Sequence, residues 1–181
     1  MTMPSILAIL ADGFEEIETV TPIDLLRRAG AEVTVASLGP GIHVQGRSGI
    51  TLHADTPLEA CLTRDFDCLL LPGGPHVALL RADPRVQALT RSFAVANRWI
   101  AAICAAPVIL SDAGLLGGRR YTAHFSMADE LPDILKDSRV VIDGKFITSR
   151  GAGTSVDFAL TIIEQLLSPQ KAREVSDAIC A

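Results

Sequence analysis

Short apolar runs alternate along this chain with segments of helical period, and that alternation narrows the fold more than any other feature. Ile6-Leu7-Ala8-Ile9-Leu10-Ala11, Val33-Thr34-Val35-Ala36, Cys68-Leu69-Leu70-Leu71 and Trp99-Ile100-Ala101-Ala102-Ile103 are apolar on both sides of the pleat. A strand apolar on both faces must be covered on both faces, as in a parallel sheet between two helical layers. Helices are expected between the runs, over residues 15–29, 84–97 and 105–113. In the first of these, Ile17, Val20, Ile23, Leu25 and Leu26 supply the buried side, Pro22 interrupts with Thr21 as a second cap, and Gly30 closes the helix. In the second, Val86, Leu89, Phe93 and Val95-Ala96 form the apolar stripe. A small hairpin is expected around Val44 and residues 50–53, after the turn at Gly39-Pro40-Gly41, and a short helix begins at Pro57. Asp143-Gly144 joins two further strands, at 140–142 and 146–148, as a hairpin. Residues 154–167 have the strongest helical period, with Thr154 and Asp157 fitting a capping box, and 169–179 form a last surface helix. The expected architecture is α/β, a mostly parallel sheet with helices on both faces, in one domain spanning 1–181.

Composition excludes several classes. Of 181 residues, 49% are apolar, too many for a disordered chain. The net charge of −5 comes with no basic stripe, which argues against nucleic-acid binding, sequence-specific binding included. Cys61, Cys68, Cys104 and Cys180 form no CxxC pair, so a zinc ribbon and a thioredoxin motif are both absent. A chain of this length has enough core to fold without disulfide staples. The start, Met1-Thr2-Met3-Pro4-Ser5, lacks the basic region of a signal peptide, and no apolar stretch approaches the roughly 20 residues of a membrane span. A cytoplasmic protein with free thiols is expected.

In such sheets ligands sit beyond the carboxyl ends of strands. After Ala11 comes Asp12-Gly13-Phe14-Glu15-Glu16-Ile17-Glu18, without the glycine pattern of a dinucleotide site, and no phosphate-binding GxxxxGK[ST] occurs. After Leu71 comes Pro72-Gly73-Gly74, either a tight turn or a place where backbone N–H groups meet an oxyanion. After Ile103 comes Cys104, then a helix-forming run. A residue at that sharp strand-to-helix turn projects its side chain upward, and a nearby helix N-terminus favours thiolate over thiol. The same cysteine is equally readable as a small buried hydrophobe. Glu18 and His124 are candidate polar partners for a thiolate. Against that, Glu15, Glu16 and Glu18 also suit a solvated helix start, and His124, like His43, His53 and His76, also suits an ordinary structural role.

Taken together, Ala11-Asp12-Gly13-Phe14-Glu15-Glu16-Ile17-Glu18, Arg27-Arg28-Ala29-Gly30, Leu71-Pro72-Gly73-Gly74, Ala101-Ala102-Ile103-Cys104-Ala105-Ala106-Pro107 and Thr148-Ser149-Arg150-Gly151-Ala152-Gly153-Thr154 resemble the ThiJ/PfpI superfamily. The resemblance is to the branch of the parkinsonism-associated protein and YajL, and it covers essentially the whole chain. It implies a flavodoxin-like three-layer sandwich, usually as a homodimer. It implies Cys104 as the elbow cysteine, Glu18 as the acid bonded to its sulfur and His124 as the active-site histidine. Gly73, Gly74 and the backbone of Ala105 match the oxyanion pocket. The implied activities are a glutathione-independent glyoxalase acting on a small 2-oxoaldehyde such as methylglyoxal, and removal of its early adducts from proteins and nucleotides. Oxidative-stress sensing or chaperone action through the same cysteine is the alternative. No metal or organic cofactor is implied. The protease-like branch places a His base after its cysteine; Ala105 stands there here, so peptidase activity is not expected. Members of the branch often carry Cys-Ser-Arg where this chain has Gly46-Arg47-Ser48, which leaves an anion contact to Arg47 or to no residue.

Overall fold

The computed structural model describes residues 3–181; Met1 and Thr2, part of the N-terminal segment read above, lie outside the described residues. The elements run β1 (Ser5–Leu10), α1 (Glu16–Arg28), β2 (Glu32–Ser37), β3 (His43–Gln45), β4 (Thr51–His53), β5 (Thr56–Pro57), β6 (Cys68–Leu71), α2 (Val77–Ala82), α3 (Pro84–Val95), β7 (Trp99–Ile103), α4 (Pro107–Asp112), β8 (Val140–Asp143), β9 (Phe146–Ser149), α5 (Ser155–Leu166) and α6 (Pro169–Ala178). The main sheet has the order β5-β2-β1-β6-β7-β9-β8, and β3 and β4 form a separate hairpin. Within the main sheet β8–β9 is antiparallel, and the other pairs are parallel. The chain winds one way from β1 to β2 and the other way to β6, so the switch point lies between β1 and β6.

The doubly apolar strands divide their side chains between two cores, as a period of two requires. Leu7, Ile9, Leu69, Leu71, Ile100 and Ala102 face one core, shared with residues of α2, α3 and α4. Ile6, Ala8, Leu10, Leu70, Ala101 and Ile103 face the other, shared with α1, α5 and α6. Each buried Leu or Ile removed from water contributes on the order of 2 kcal/mol. Among the described residues, no helix is long and apolar enough to cross a membrane.

Three local expectations are corrected. First, α1 is continuous through Pro22, and its cap is Glu15, not Thr21. Its apolar pattern is also reversed at the start: Ile17 and Val20 are 53% and 44% exposed, whereas Glu16 and Glu18 are buried. Second, Thr154 makes no cap bond to α5. Its hydroxyl is used within the preceding turn, donating to the Gly151 carbonyl (2.8 Å) and accepting from the Gly151 N–H (3.2 Å). Third, α2 follows the diglycine turn directly, where no helix was expected, and on α3 Val95 points to solvent.

Candidate active site

Three neighbouring strands, β1, β6 and β7, end on one edge of the sheet, and the segments after them meet. The elbow after β7 is set by main-chain bonds. The Cys104 N–H donates to the Ser149 carbonyl (2.9 Å), and its own carbonyl accepts from the His124 N–H (2.9 Å). These bonds hold Cys104 at φ +65, in the left-handed region that L residues avoid. Such a conformation costs on the order of 1–3 kcal/mol and turns the half-buried thiol toward the ends of β1 and β6.

The diglycine turn approaches closely. A Cβ on Gly73 would fall 2.6 Å from Cys104 Cβ and would overlap the Glu18 carboxyl. One on Gly74, at φ +103, would meet the Glu15 nitrogen at 2.6 Å. Both positions therefore need glycine, one for space and one for conformation as well. The Gly74 and Ala105 amides act on the Cys104 sulfur, whereas the Gly73 amide acts on Glu18.

The three glutamates after β1 do three different things. Glu15 caps α1, its carboxylate accepting from the Glu18 N–H (2.7 Å). Glu16 turns to the β3–β4 hairpin, where it accepts from the Ser48 N–H (2.6 Å). Glu18 points inward at 1% exposure, against Cys104 and the amides of Gly73 and Ala152. Its Oε2 is buried without a hydrogen-bond partner. Burial pushes the Glu18 carboxyl up to about 7, with the Glu15 charge adding to the rise and the Cys104 contact opposing it.

Burial also pushes the Cys104 thiol up to about 12, with the Glu18 charge next in importance and the Ala105 and Gly74 amides opposing. This reverses the expectation of a simply acidic thiol. Two acids share one desolvated space, and each resists ionising while the other is charged. The pair thus holds one negative charge above about pH 7, once its first proton has left. Thiolate exists in it when the shared proton sits on Glu18.

His124 stands across Gly151 from this pair, where a Cβ on Gly151 would touch His124 Cδ2 at 3.4 Å and Cys104 Sγ at 3.9 Å. The Ser126 N–H donates to His124 Nδ1 (3.3 Å), and Ser126 Oγ lies 2.8 Å from the same nitrogen. A neutral ring therefore carries its proton on Nε2. Phe125 packs on the His124 ring at 4.1 Å.

His76 had no distinguishing sequence feature, yet it ties two of the strand ends together. It is fully buried; its Nδ1 accepts from the Ala11 N–H (3.1 Å) and its Nε2 donates to the Pro72 carbonyl (3.0 Å). Burial lowers it to about 4, so the ring is neutral. No sequence pattern marks this role, because the two partners are backbone groups on separate strands. His43 and His53 meet edge to face across the β3–β4 hairpin, their ring centroids 4.2 Å apart. Arg47 is exposed; its N–H donates to the Phe14 carbonyl (2.9 Å), and its side chain makes no hydrogen bond or ion pair among the described residues. All four thiols are free, with Cys61 and Cys68 buried and Cys180 exposed. Among the described residues, no group of three or more His, Cys, Asp or Glu side chains is placed to hold a metal ion.

A doubly wound parallel sheet presenting one cysteine at a strained strand-to-helix elbow, with a buried carboxyl from the first helix against it, defines a class of α/β protein. Within that class the chain belongs to the DJ-1/PfpI family, whose profile matches residues 4–165. It is 42% identical over 175 residues to the Parkinson disease protein 7 homolog of Danio rerio, covering 93% of each chain. It is 33% identical over 151 residues to Deglycase TK1284 of Thermococcus kodakarensis, covering 82% of this chain and 90% of that one. The crystal structure of Drosophila melanogaster DJ-1beta matches with a TM-score of 0.96 at 38% identity, covering 99% of both chains. The chain spans 41% of the length of Protein DJ-1 homolog B of Arabidopsis thaliana.

Proposed function

We propose that the chain is a cysteine-dependent enzyme, one domain over 1–181, that acts on 2-oxoaldehydes and on the early adducts they form. The observation that carries this reading is the Glu18–Cys104 pair, a carboxyl of 1% exposure from α1 set against the sulfur held at the strained elbow. The Deglycase name of the Thermococcus relative supports it.

The proton moves to Glu18, and the Cys104 thiolate attacks the aldehyde carbon of methylglyoxal. The new oxyanion is held by the Gly74 and Ala105 N–H groups, with Gly73 keeping the space clear. Glu18 or His124 then moves a proton from the aldehyde carbon to the neighbouring carbon. The first carbon is oxidised to a thioester and the second reduced to an alcohol, so no outside oxidant is needed. Water releases lactate and returns the thiol. In deglycation the same attack falls on the hemiaminal or hemithioacetal carbon as its C–N or C–S bond breaks; the freed amine or thiol leaves with the proton from Glu18, and the same Cys104 hemithioacetal results. The scheme uses no cofactor. Methylglyoxal turnover should yield lactate without glutathione, and Cys104→Ala should abolish it. Consumption of methylglyoxal with no lactate above the Cys104→Ala control overturns the reading.

A second reading, a stress sensor or chaperone switched by oxidation of the same thiol, is favoured by one observation. The Gly74 and Ala105 amides, with a protonated Glu18, would receive the oxygens of an oxidised Cys104. We also propose a homodimer, supported by the exposed Ile17 and Val20 of α1 and the exposed Ile50 beside the hairpin. A sedimentation mass near that of one 19.2 kDa chain counts against it.

A further inference from the structure

Beside the Cys104 site lies a cavity of about 480 Å³, whose walls include His124, Phe125, Lys136, Arg139, Arg150 and the 151–154 turn. Gly151 and His124 line it, and a Cβ on Gly151 would lie 3.9 Å from Cys104 Sγ, which places the sulfur just behind this wall. Three cations line the cavity and no carboxylate does. Arg139 is neutralised, donating to Asp157 (2.6 Å) and to the Gly153 carbonyl (2.9 Å). Arg150 is different: it donates from Nη1 to the Lys136 carbonyl (3.0 Å), a bond that anchors the guanidinium without cancelling its charge. Among the described residues neither Arg150 nor Lys136 makes an ion pair. In a chain of net charge −5, one concavity next to the sulfur thus keeps two unneutralised cations. Phe125, 78% exposed, adds an apolar wall.

We propose that this cavity is the anion-accepting arm of the Cys104 site. Lys136 and Arg150 receive the carboxylate or phosphate of a 2-oxoaldehyde, or of the small molecule that a 2-oxoaldehyde has modified, while its carbonyl carbon faces Sγ. The inference rests on the reading of Cys104 as a carbonyl nucleophile and narrows its substrate class from neutral methylglyoxal to anionic carriers. A guanidinium fixed at one edge offers its remaining N–H groups to such an anion in a set direction.

The test compares S-alkylation of Cys104 by iodoacetate and iodoacetamide, read by peptide mapping of the full chain. Each reagent loses iodide and forms one C–S bond; they match in size and differ in charge. The iodoacetate-to-iodoacetamide rate ratio should exceed that of 2-mercaptoethanol by about threefold to tenfold at low salt and fall as salt is added. Lys136→Gln and Arg150→Gln should each lower the ratio, in which any change of the thiolate fraction cancels because both reagents meet the same thiolate. Arg150→Lys keeps the charge and should keep most of the preference, which separates loss of charge from loss of the anchor. Inorganic phosphate and acetate should both slow iodoacetate, and the one effective at lower concentration names the preferred group. A ratio equal to that of 2-mercaptoethanol, or one that both Gln variants leave unchanged, overturns the proposal. Because alkylation needs no turnover, absence of lactate with the preference intact removes only the glyoxalase reading, and lactate without the preference removes only the anion arm.

Discussion

Glu18→Gln should change how the stability of the fold responds to pH, by an amount set by burial. The carboxyl is raised from 4.5 to about 7 in the folded protein. The folded chain therefore holds this proton more tightly than the unfolded one. The stability it contributes is full below about pH 4.5 and is lost as pH rises through about 7. At about 1.4 kcal/mol per unit, the loss across the window is roughly 3 kcal/mol. His76 acts with the opposite sign. Burial lowers it from 6.5 to about 4, so its contribution is full above 6.5 and lost as pH falls through about 4. The two slopes overlap and partly cancel in the wild type, so the informative quantity is the difference between variant and wild type. Gln keeps the shape and an N–H donor toward the sulfur, and it does not titrate. Urea unfolding at about pH 4.5 and about pH 8 should show the variant gaining on the wild type by roughly 3 kcal/mol between the two conditions. A difference constant to within about 0.5 kcal/mol would refute the account of Glu18 as a desolvated acid.

Iodoacetamide labelling of Cys104 should rise with an apparent midpoint near 7, where the pair loses its first proton. At about pH 8, above that midpoint, Cys104 should label before the exposed Cys180, and both well before the buried Cys61 and Cys68; labelling of Cys180 first would show that the pair does not supply thiolate. His76→Phe should lower kcat by about tenfold or more with little change in KM, because the ring sets the position of the diglycine turn without touching substrate. His76→Gln, which can present one acceptor and one donor, should restore part of the rate; equal losses in both variants would mean that the ring only fills space.

The sheet was legible because its evidence is local. A run such as Leu69-Leu70-Leu71 can be satisfied only between two cores, and Asp143-Gly144 between two apolar runs closes a hairpin. The elbow was legible for the same reason, as a cysteine at the junction of a buried strand and a helix. What periodicity misassigned was the start of α1. It places apolar side chains inside, but Glu18 is drawn inward by the site and carries Ile17 and Val20 to the surface with it. Thr154 suited a helix cap by spacing, and the turn just before the helix took its hydroxyl for Gly151 instead. The direction of the Cys104 shift was also beyond the sequence, which shows two acidic groups but not that they share one dry space. Lys136 and Arg150 stand fourteen positions apart, and only folding brings them to one cavity.

The bonds that fix Cys104 all belong to its main chain, one to Ser149 and one from His124. The support of the elbow is therefore indifferent to which side chain stands on it. Chemistry and scaffold can vary separately at this point: Ser or Ala at the same position would be presented in the same pose, and a chain that lost its sulfur would keep its architecture. Such a scaffold can be passed from one reaction to another by a single substitution, with the surrounding donors already in place to receive whatever charge the next reaction develops.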